Sequence, residues 1–278
     1  MGTFRAVLRN RKAAWGLGIL GFFAAVALLA PVIAPTSPSA MAFAPSEPPS
    51  WRHPLGTTAT GQDIFAQVVW GSRLSLVVGL VTGAAATLLS VVVGLTAGYA
   101  GGVVDDVLTT LTNIFLVLPG LPLMIIVAAY VKVKGVVPII LVISVTGWAW
   151  GARLLRAQAM SLKSRDFVQA SVVVGERPAR IVFGELLPNL SGLIAANFFG
   201  AAVYAVLSEA SLEFLGLGNV NVVTWGTMLY WAQNNQAILL GQWQWMAVPG
   251  LCIALLGTAF ALINFAVDEV ANPRLRVR

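Results

Sequence analysis

Six long, uncharged apolar runs constrain this chain more than any other feature of its sequence. Most of them reach the roughly 20 residues that an α-helix needs to cross the hydrocarbon core of a bilayer. They are continuous instead of alternating, which favours helices over the short strands of a membrane barrel. The predicted spans are residues 15–34, 74–97, 107–130, 136–152, 190–207 and 245–267. We therefore expect an all-α membrane protein with six transmembrane helices.

The composition supports a protein whose surface faces lipid. Of its 278 residues, 58% are hydrophobic and only 10% are charged, whereas soluble domains carry about 25% charged residues. The formal net charge of +6 does not indicate nucleic-acid binding, because the basic residues flank apolar runs and form no stripe with aromatic residues. We expect contact with membrane lipid and none with nucleic acid.

The positions of the basic residues predict the orientation in the membrane. Cytoplasmic flanks of membrane spans carry an excess of Lys and Arg. With both termini inside, only four of the 17 basic residues lie outside: Arg52, Arg73, Lys132 and Lys134. The opposite orientation would reverse this ratio, so we expect the N-terminus and the C-terminus in the cytoplasm.

This topology divides the chain into two parts. Residues 1–72 form an N-terminal anchor helix and an external loop, and residues 73–278 form a transmembrane core that contains the internal loop 153–189. A second external loop, 208–244, is rich in aromatic residues, which suits either a segment at the outer interface or a re-entrant helix. These aromatic residues are Trp225, Tyr230, Trp231 and Trp243.

Glycine pairs at helical spacing mark the second predicted span and its exit. Missing side chains at this spacing let two helix backbones approach closely in lipid. The pairs are Gly79/Gly83, Gly94/Gly98 and Gly98/Gly102. Packing within the chain and packing against another subunit both remain open. Prolines within the spans are expected to kink them; they are Pro119, Pro122, Pro138 and Pro249.

The sequence lacks the motifs that nucleotide binding, catalysis and ion-coupled transport usually need. It has no Gly-x-x-x-x-Gly-Lys-Ser/Thr loop for phosphate and only one histidine, His53, so we expect neither ATP binding by that route nor an enzyme. No carboxylate lies within a predicted span, which disfavours ion-coupled transport. We expect no cofactor in this chain. If the protein moves a solute against a gradient, the energy has to come from another protein.

The internal loop contains a short apolar stretch with clear helix signals. Gly175 can end a helix in a left-handed cap, and Pro178 can begin the next one. The residues before Gly175 are unusually apolar for a cytoplasmic segment: Phe167, Val168, Ala170, Val172, Val173 and Val174. Such a surface suits a groove in another protein or the ends of this chain's own helices, and composition does not decide between them.

This stretch resembles the Glu-Ala-Ala…Gly loop of binding-protein-dependent ABC importer permeases. Gln169, Ala170 and Ser171, then Gly175, then Leu187 and Pro188 stand at the family's spacing, with Gln169 in place of the acidic residue. The resemblance implies that this loop couples the chain to an ATPase subunit. The residues so implied are Asp166, Phe167, Gln169, Ala170, Ser171, Gly175, Leu187 and Pro188.

Further motifs are similar to those of the C-type permease of dipeptide and oligopeptide importers. They are HPLGT at 53–57, GQD at 61–63, GSRLS at 71–75, GYAGGVVD at 98–105, EASLEFLGLG at 209–218, WG at 225–226 and NPRLR at 272–276. The family usually has Arg where Gln62 stands. The order and spacing of these motifs, from about residue 51 to the C-terminus, make the resemblance specific.

The resemblance implies a type I ABC importer permease fold in the bacterial cytoplasmic (inner) membrane and import of short peptides. The implied partners are a homologous second permease, two cytoplasmic ATP-binding subunits that hold ATP and magnesium, and an external solute-binding protein. Nickel chelates, glutathione or heme remain alternative cargoes. A structural or signalling membrane subunit without transport is an alternative of another class. No residue is singled out for substrate binding.

Overall fold

The computed structural model describes residues 10–271, and secondary structure within them is helical apart from one isolated β-bridge between Thr57 and Asp63. In chain order the elements are α1 (Arg11–Ile33), α2 (Ile64–Ala100), α3 (Gly102–Val117), α4 (Gly120–Tyr130), α5 (Val136–Gly147), α6 (Ala149–Lys163), α7 (Asp166–Val173), α8 (Pro178–Ile181), a π-helical turn (Val182–Leu186), α9 (Leu187–Asn189), α10 (Ser191–Phe214), α11 (Trp225–Asn234) and α12 (Gln244–Ala271). The predicted all-α class is confirmed.

Single helices and bent pairs provide the membrane crossings. Within residues 10–271, the four helices α1, α2, α10 and α12 are each long and apolar enough to cross a bilayer. Helices α3 and α4 form a pair bent by 95°, and α5 and α6 a pair bent by 44°. Counting each bent pair as one span gives up to six crossings, which lie where the sequence predicts them.

Several helices extend beyond the apolar runs that predict them. Helix α2 begins at Ile64 and not at residue 74, because the Asp63 side chain caps it by accepting hydrogen bonds from the N–H groups of Phe65 and Ala66. Helix α6 continues to Lys163, so the first part of the predicted loop 153–189 is helical. Apolar runs mark what must lie in lipid, whereas hydrogen bonding decides where a helix ends.

The third predicted span, 107–130, is not one straight helix. Its two parts meet at Leu118 and Pro119, which both adopt extended backbone conformations. Proline lacks the N–H that would continue the helical hydrogen bonds, and its ring clashes with the preceding turn. The expected kink is therefore confirmed at Pro119, in the form of a full break. Pro249, by contrast, lies inside the continuous helix α12.

Helix α2 lies at the centre of the fold and packs closely on α6 and α10 through its glycines. A Cβ atom added at Gly79 would lie 2.6 Å from Val206, and one at Gly83 would lie 3.1 Å from Ala202, both on α10. Gly94 and Gly98 face α6 in the same way. These glycines serve packing within the chain, which decides between the two possibilities that the sequence leaves open. Gly102 has no such neighbour within 4 Å.

The C-terminal end of α10 corrects one sequence prediction. The predicted span ends at residue 207, but the helix continues to Phe214 and carries Glu209 and Glu213, whose exposed fractions are 0% and 2%. The Glu213 carboxylate accepts a hydrogen bond from the Thr224 hydroxyl, which also caps α11. Both glutamates lie in the last turns of α10 and not at its middle, so the prediction that no carboxylate lies at mid-span is not contradicted, whereas the predicted end of this helix at residue 207 is corrected to Phe214.

Trp225, in the predicted external loop rich in aromatic residues, lies inside the protein. Its side chain is fully buried, and its indole N–H donates to the Val68 carbonyl oxygen at 3.0 Å. It contacts Phe23 with ring centroids 5.1 Å apart. Trp231 and Trp243 remain exposed. Burial was missed because a tryptophan in a loop rich in Asn and Gln is typical of an interface, and only the docking of α11 on α2 shows otherwise.

Candidate functional site

The candidate site is the segment between α6 and α10, which begins with the short helix α7. This helix ends as the sequence predicts. Gly175 has a φ of +82°. Its N–H donates to the Val172 carbonyl oxygen at 3.0 Å, and the N–H of Glu176 donates to the Ser171 carbonyl oxygen at 3.1 Å. This pair of hydrogen bonds is the Schellman motif, which satisfies the last carbonyl groups of a helix.

The next helix begins at the predicted proline. Pro178 occupies the first position of α8, after Arg177 in an extended conformation. Its ring presets the helical φ, and its missing N–H would have had no partner within the helix at this position. Gly175 and Pro178 together turn the chain sharply, so that α7 and α8 are separate short helices.

One face of the segment is fixed to the membrane-spanning part of the chain. Val168 of α7, Ile181 of α8 and Leu186 of the π-helical turn form a buried cluster. Tyr99, at the end of α2, and Leu162, near the end of α6, pack against this cluster. The segment is therefore attached directly to the ends of α2 and α6, the two helices with the most extensive contact among residues 10–271. Val168 points inward, although nothing in the sequence separates it from the apolar residues around it.

The opposite face of α7 is apolar and has no partner within residues 10–271. The exposed fraction is 41% for Phe167, 84% for Val173 and 80% for Val174. Ala170 is also exposed. Val168 therefore packs on this chain, whereas the other side chains present an exposed apolar surface. Exposed apolar surface on a loop outside the spans is typical of a protein interface.

The remaining predicted site residues have different surroundings. The Gln169 side-chain amide donates to the Lys163 carbonyl oxygen at 2.7 Å, so it holds the start of α7 against the end of α6. Asp166 is exposed and Ser171 half-buried in α7. Leu187 packs beside Leu190 with residues of α2 and α6, whereas Pro188 is exposed. The structure therefore joins residues 166–175 into one surface and leaves Leu187 in a separate supporting cluster.

The segment between α6 and α10 also carries an exposed aromatic side chain that the sequence did not single out. Phe183, on the π-helical turn, has an exposed fraction of 68%. Its immediate neighbours in sequence are Val182 and Gly184. Val182 is half-buried against the cluster formed by Val168, Ile181 and Leu186. A single aromatic residue in an apolar stretch carries no periodic signal, so sequence alone could not separate it from the buried residues around it.

Comparison with known proteins identifies the class to which this arrangement belongs. Residues 90–277 match the model of the family described as "Binding-protein-dependent transport system inner membrane component". Residues 2–49 match the model described as "N-terminal TM domain of oligopeptide transport permease C". A multi-pass helical chain with such a match is an inner-membrane subunit of a transport system.

Individual relatives cover almost the whole chain. The dipeptide transport system permease protein DppC of Bacillus subtilis is 32% identical over 276 residues, which are 99% of this chain and 85% of the relative. The oligopeptide transport system permease protein OppC of the same organism is 30% identical over 96% of this chain and 87% of its own length. DppC of Haemophilus influenzae is 32% identical over 96% and 92%. This chain belongs to the family of binding-protein-dependent transport system inner membrane components.

Proposed function

We propose that this chain is a membrane-spanning permease subunit of an ATP-driven, binding-protein-dependent importer of short peptides. The observation that carries the proposal is its similarity, over 96–99% of its length, to permease proteins of dipeptide and oligopeptide transport systems. The motifs at residues 53–57 and 209–218 support the same subfamily. The names of these relatives favour peptides over nickel chelates, glutathione or heme as cargo, and the family favours transport over a purely structural or signalling role.

The proposed assembly contains a homologous second permease, two ATP-binding subunits and an external solute-binding protein. ATP and magnesium are held by the ATP-binding subunits, and this chain contributes a wall of the pathway. The exposed apolar face of α7 supports a docking role, since it needs a partner of complementary shape outside the membrane. In this proposal, closure of the ATP-binding subunits moves residues 166–175 and so reorients the spanning helices between outward and inward openings.

Uptake by cells tests the proposed cargo. In cells that lack this chain, uptake of a labelled dipeptide and of a labelled oligopeptide is expected to fall to background, and a plasmid copy of the chain should restore it. The chain purified without its ATP-binding partners is expected to hydrolyse no ATP. Loss of nickel-chelate or heme uptake with unchanged peptide uptake would contradict the peptide assignment.

Thiol labelling tests the proposed orientation, in which both termini lie in the cytoplasm. Cys252 is the only cysteine, so a Cys252→Ser chain provides a clean background. Cysteines at Ser39 and Asn234 are expected to react with a membrane-impermeant maleimide in intact cells, whereas one at Ser164 should react only after the membrane is opened. The reason is the excess of Lys and Arg next to Ser164, which cytoplasmic loops share. Labelling of Ser164→Cys in intact cells would reverse the topology.

A further inference from the structure

Helix α3 buries few of its residues against the rest of the chain. Of its 16 residues only Asp105 and Thr112 are buried. It follows α2 after a turn at Gly101 and Gly102, whose φ angles are +69° and +53°. Glycine adopts such angles without steric cost and allows a wide range of directions. The course of the backbone through this turn therefore does not by itself fix the direction of α3 relative to α2.

A bidentate ion pair ties the first turns of α3 to α6. The Arg156 Nη2 donates to Asp105 Oδ2 at 2.7 Å, and Nε donates to Oδ1 at 2.5 Å. The Thr109 hydroxyl donates to the same carboxylate at 3.0 Å. Two parallel hydrogen bonds in a planar fork fix orientation as well as distance, and they are stronger than bonds between neutral groups. The side chains are 12% and 29% exposed, which leaves the pair only partly screened by solvent.

The C-terminal end of α6 leads directly into the candidate coupling segment. Lys163, its last residue, donates to the Tyr99 carbonyl oxygen at 2.6 Å. Tyr99 in turn packs against the cluster around Val168. Between these points, the Cβ that Gly98 lacks would lie 2.7 Å from the Arg156 carbonyl oxygen, so α2 and α6 are in backbone contact there. Helix α6 thus joins the attachment point of α7 to Arg156 within one rigid element.

We propose that Asp105 and Arg156 are positioning residues for transport, which pass movement of the 166–175 segment through α6 to α3 and onward to the bent α3–α4 pair. This inference rests on the proposed coupling role of that segment. The glycine turn gives α3 freedom to rotate, and the ion pair makes its direction follow α6. Near the far end of α3, Phe115 contacts Trp148, the residue directly before α6, with ring centroids 5.4 Å apart. Helix α3 is therefore in contact with α6 or its first flanking residue near both of its ends.

The test follows the movement of α3 in the assembled transporter. Val117, the last residue of α3, is 82% exposed and can carry an environment-sensitive bimane label on a cysteine in the Cys252→Ser background. ATP is expected to shift the label's fluorescence in the unaltered complex. In Asp105→Asn this shift should disappear and peptide uptake should fall about tenfold, because a hydrogen-bonded charge loses its partner. Membrane level and binding-protein-stimulated ATP hydrolysis should stay close to those of the unaltered chain.

Matched variants separate positioning from simple damage. Asp106→Asn removes the neighbouring carboxylate, which is exposed and forms no ion pair among residues 10–271, and should change neither readout. Asp105→Glu keeps the charge and should retain most uptake. The exchanged pair, Asp105→Arg with Arg156→Asp, should regain the fluorescence shift. If Asp105→Asn does not reach the membrane, the exchanged pair decides: normal membrane level without the shift would overturn the inference.

The coupling role and the ion pair can fail separately. If Ala170→Glu keeps wild-type uptake, the proposed coupling segment is wrong and this inference is overturned with it. If Ala170→Glu loses uptake while Asp105→Asn keeps both uptake and the ATP-dependent shift at Val117→Cys, the coupling role stands and the positioning role of Asp105 is refuted.

Discussion

Replacing Ala170 with glutamate is expected to abolish peptide uptake while the protein still reaches the membrane. Ala170 is exposed on α7 in the middle of the apolar surface formed by Phe167, Val173 and Val174. A carboxylate enclosed in a close protein groove loses its hydration. Burial of an unpaired polar group costs about 2–7 kcal/mol, and each 1.4 kcal/mol is a factor of ten, so we expect uptake to fall at least about thirtyfold. Insertion should persist because α7 lies outside the spans.

The measurement is uptake together with binding-protein-stimulated ATP hydrolysis, and both should be lost. Ala179→Glu is the matched control: Ala179 is exposed in the neighbouring helix α8, between Arg177 and Pro178 on one side and Arg180 on the other. Its carboxylate would lie near basic residues, and we expect function to be retained. Wild-type uptake by Ala170→Glu at normal membrane level would remove the coupling assignment.

The end of α7 provides a second arm of the same prediction. Gly175→Val places a β-branched side chain at a φ of +82°, where a left-handed conformation costs about 1–2 kcal/mol. The space around Gly175 is open, so the effect should come from the backbone and the exit direction of the helix. Gly175→Asn, which tolerates this conformation, should retain uptake where Gly175→Val loses it. Equal uptake by both variants would count against a required cap.

Cross-linking reports contact with the partner directly. A cysteine at Ser171 is expected to cross-link to a cysteine in the permease-facing cleft of the ATP-binding subunit. Ser164→Cys, at the end of α6 and outside the apolar surface, is the control and should cross-link less. Absence of cross-links along residues 169–173 would contradict the docking of α7 on the ATP-binding subunit.

Replacing Gly98 with leucine is expected to have the largest effect on the folded state. A Cβ atom at this position would lie 2.7 Å from both the Ala159 side chain and the Arg156 carbonyl oxygen. The carbonyl oxygen belongs to the backbone of α6, so the overlap can be relieved only if α2 and α6 move apart. Overpacking of this kind costs about 1–3 kcal/mol and sometimes more. We expect a lower membrane level and a lower thermal midpoint in detergent, with Gly98→Ala intermediate.

The matched control is another helical glycine. Gly21, in α1, has no atom within 4 Å of its added Cβ and is exposed. Gly21→Leu should therefore leave the thermal midpoint nearly unchanged. A Gly98→Leu protein as stable as Gly21→Leu would mean that α2 and α6 are not packed through this glycine.

The sequence by itself determined the class of fold and the local structure of the candidate segment. A bilayer admits only structures whose backbone hydrogen bonds are satisfied internally, so long apolar runs are sufficient to predict helical spans. The cap at Gly175 and the helix start at Pro178 depend on backbone angles that these residue types favour locally. The order and spacing of the short motifs also indicated the family to which the chain belongs.

Only the tertiary structure decided which surfaces meet. The spacing of the glycines predicts that another helix can approach closely. It does not predict whether that helix is α6 or belongs to another subunit at Gly98. The Asp105–Arg156 pair joins residues that are 51 positions apart, and no local pattern predicts such a pairing. Burial of Glu209 and Glu213 depends on α11 folding back over the end of α10. Apolar periodicity describes one element at a time, whereas contacts between distant elements depend on the shape of the complete helical assembly.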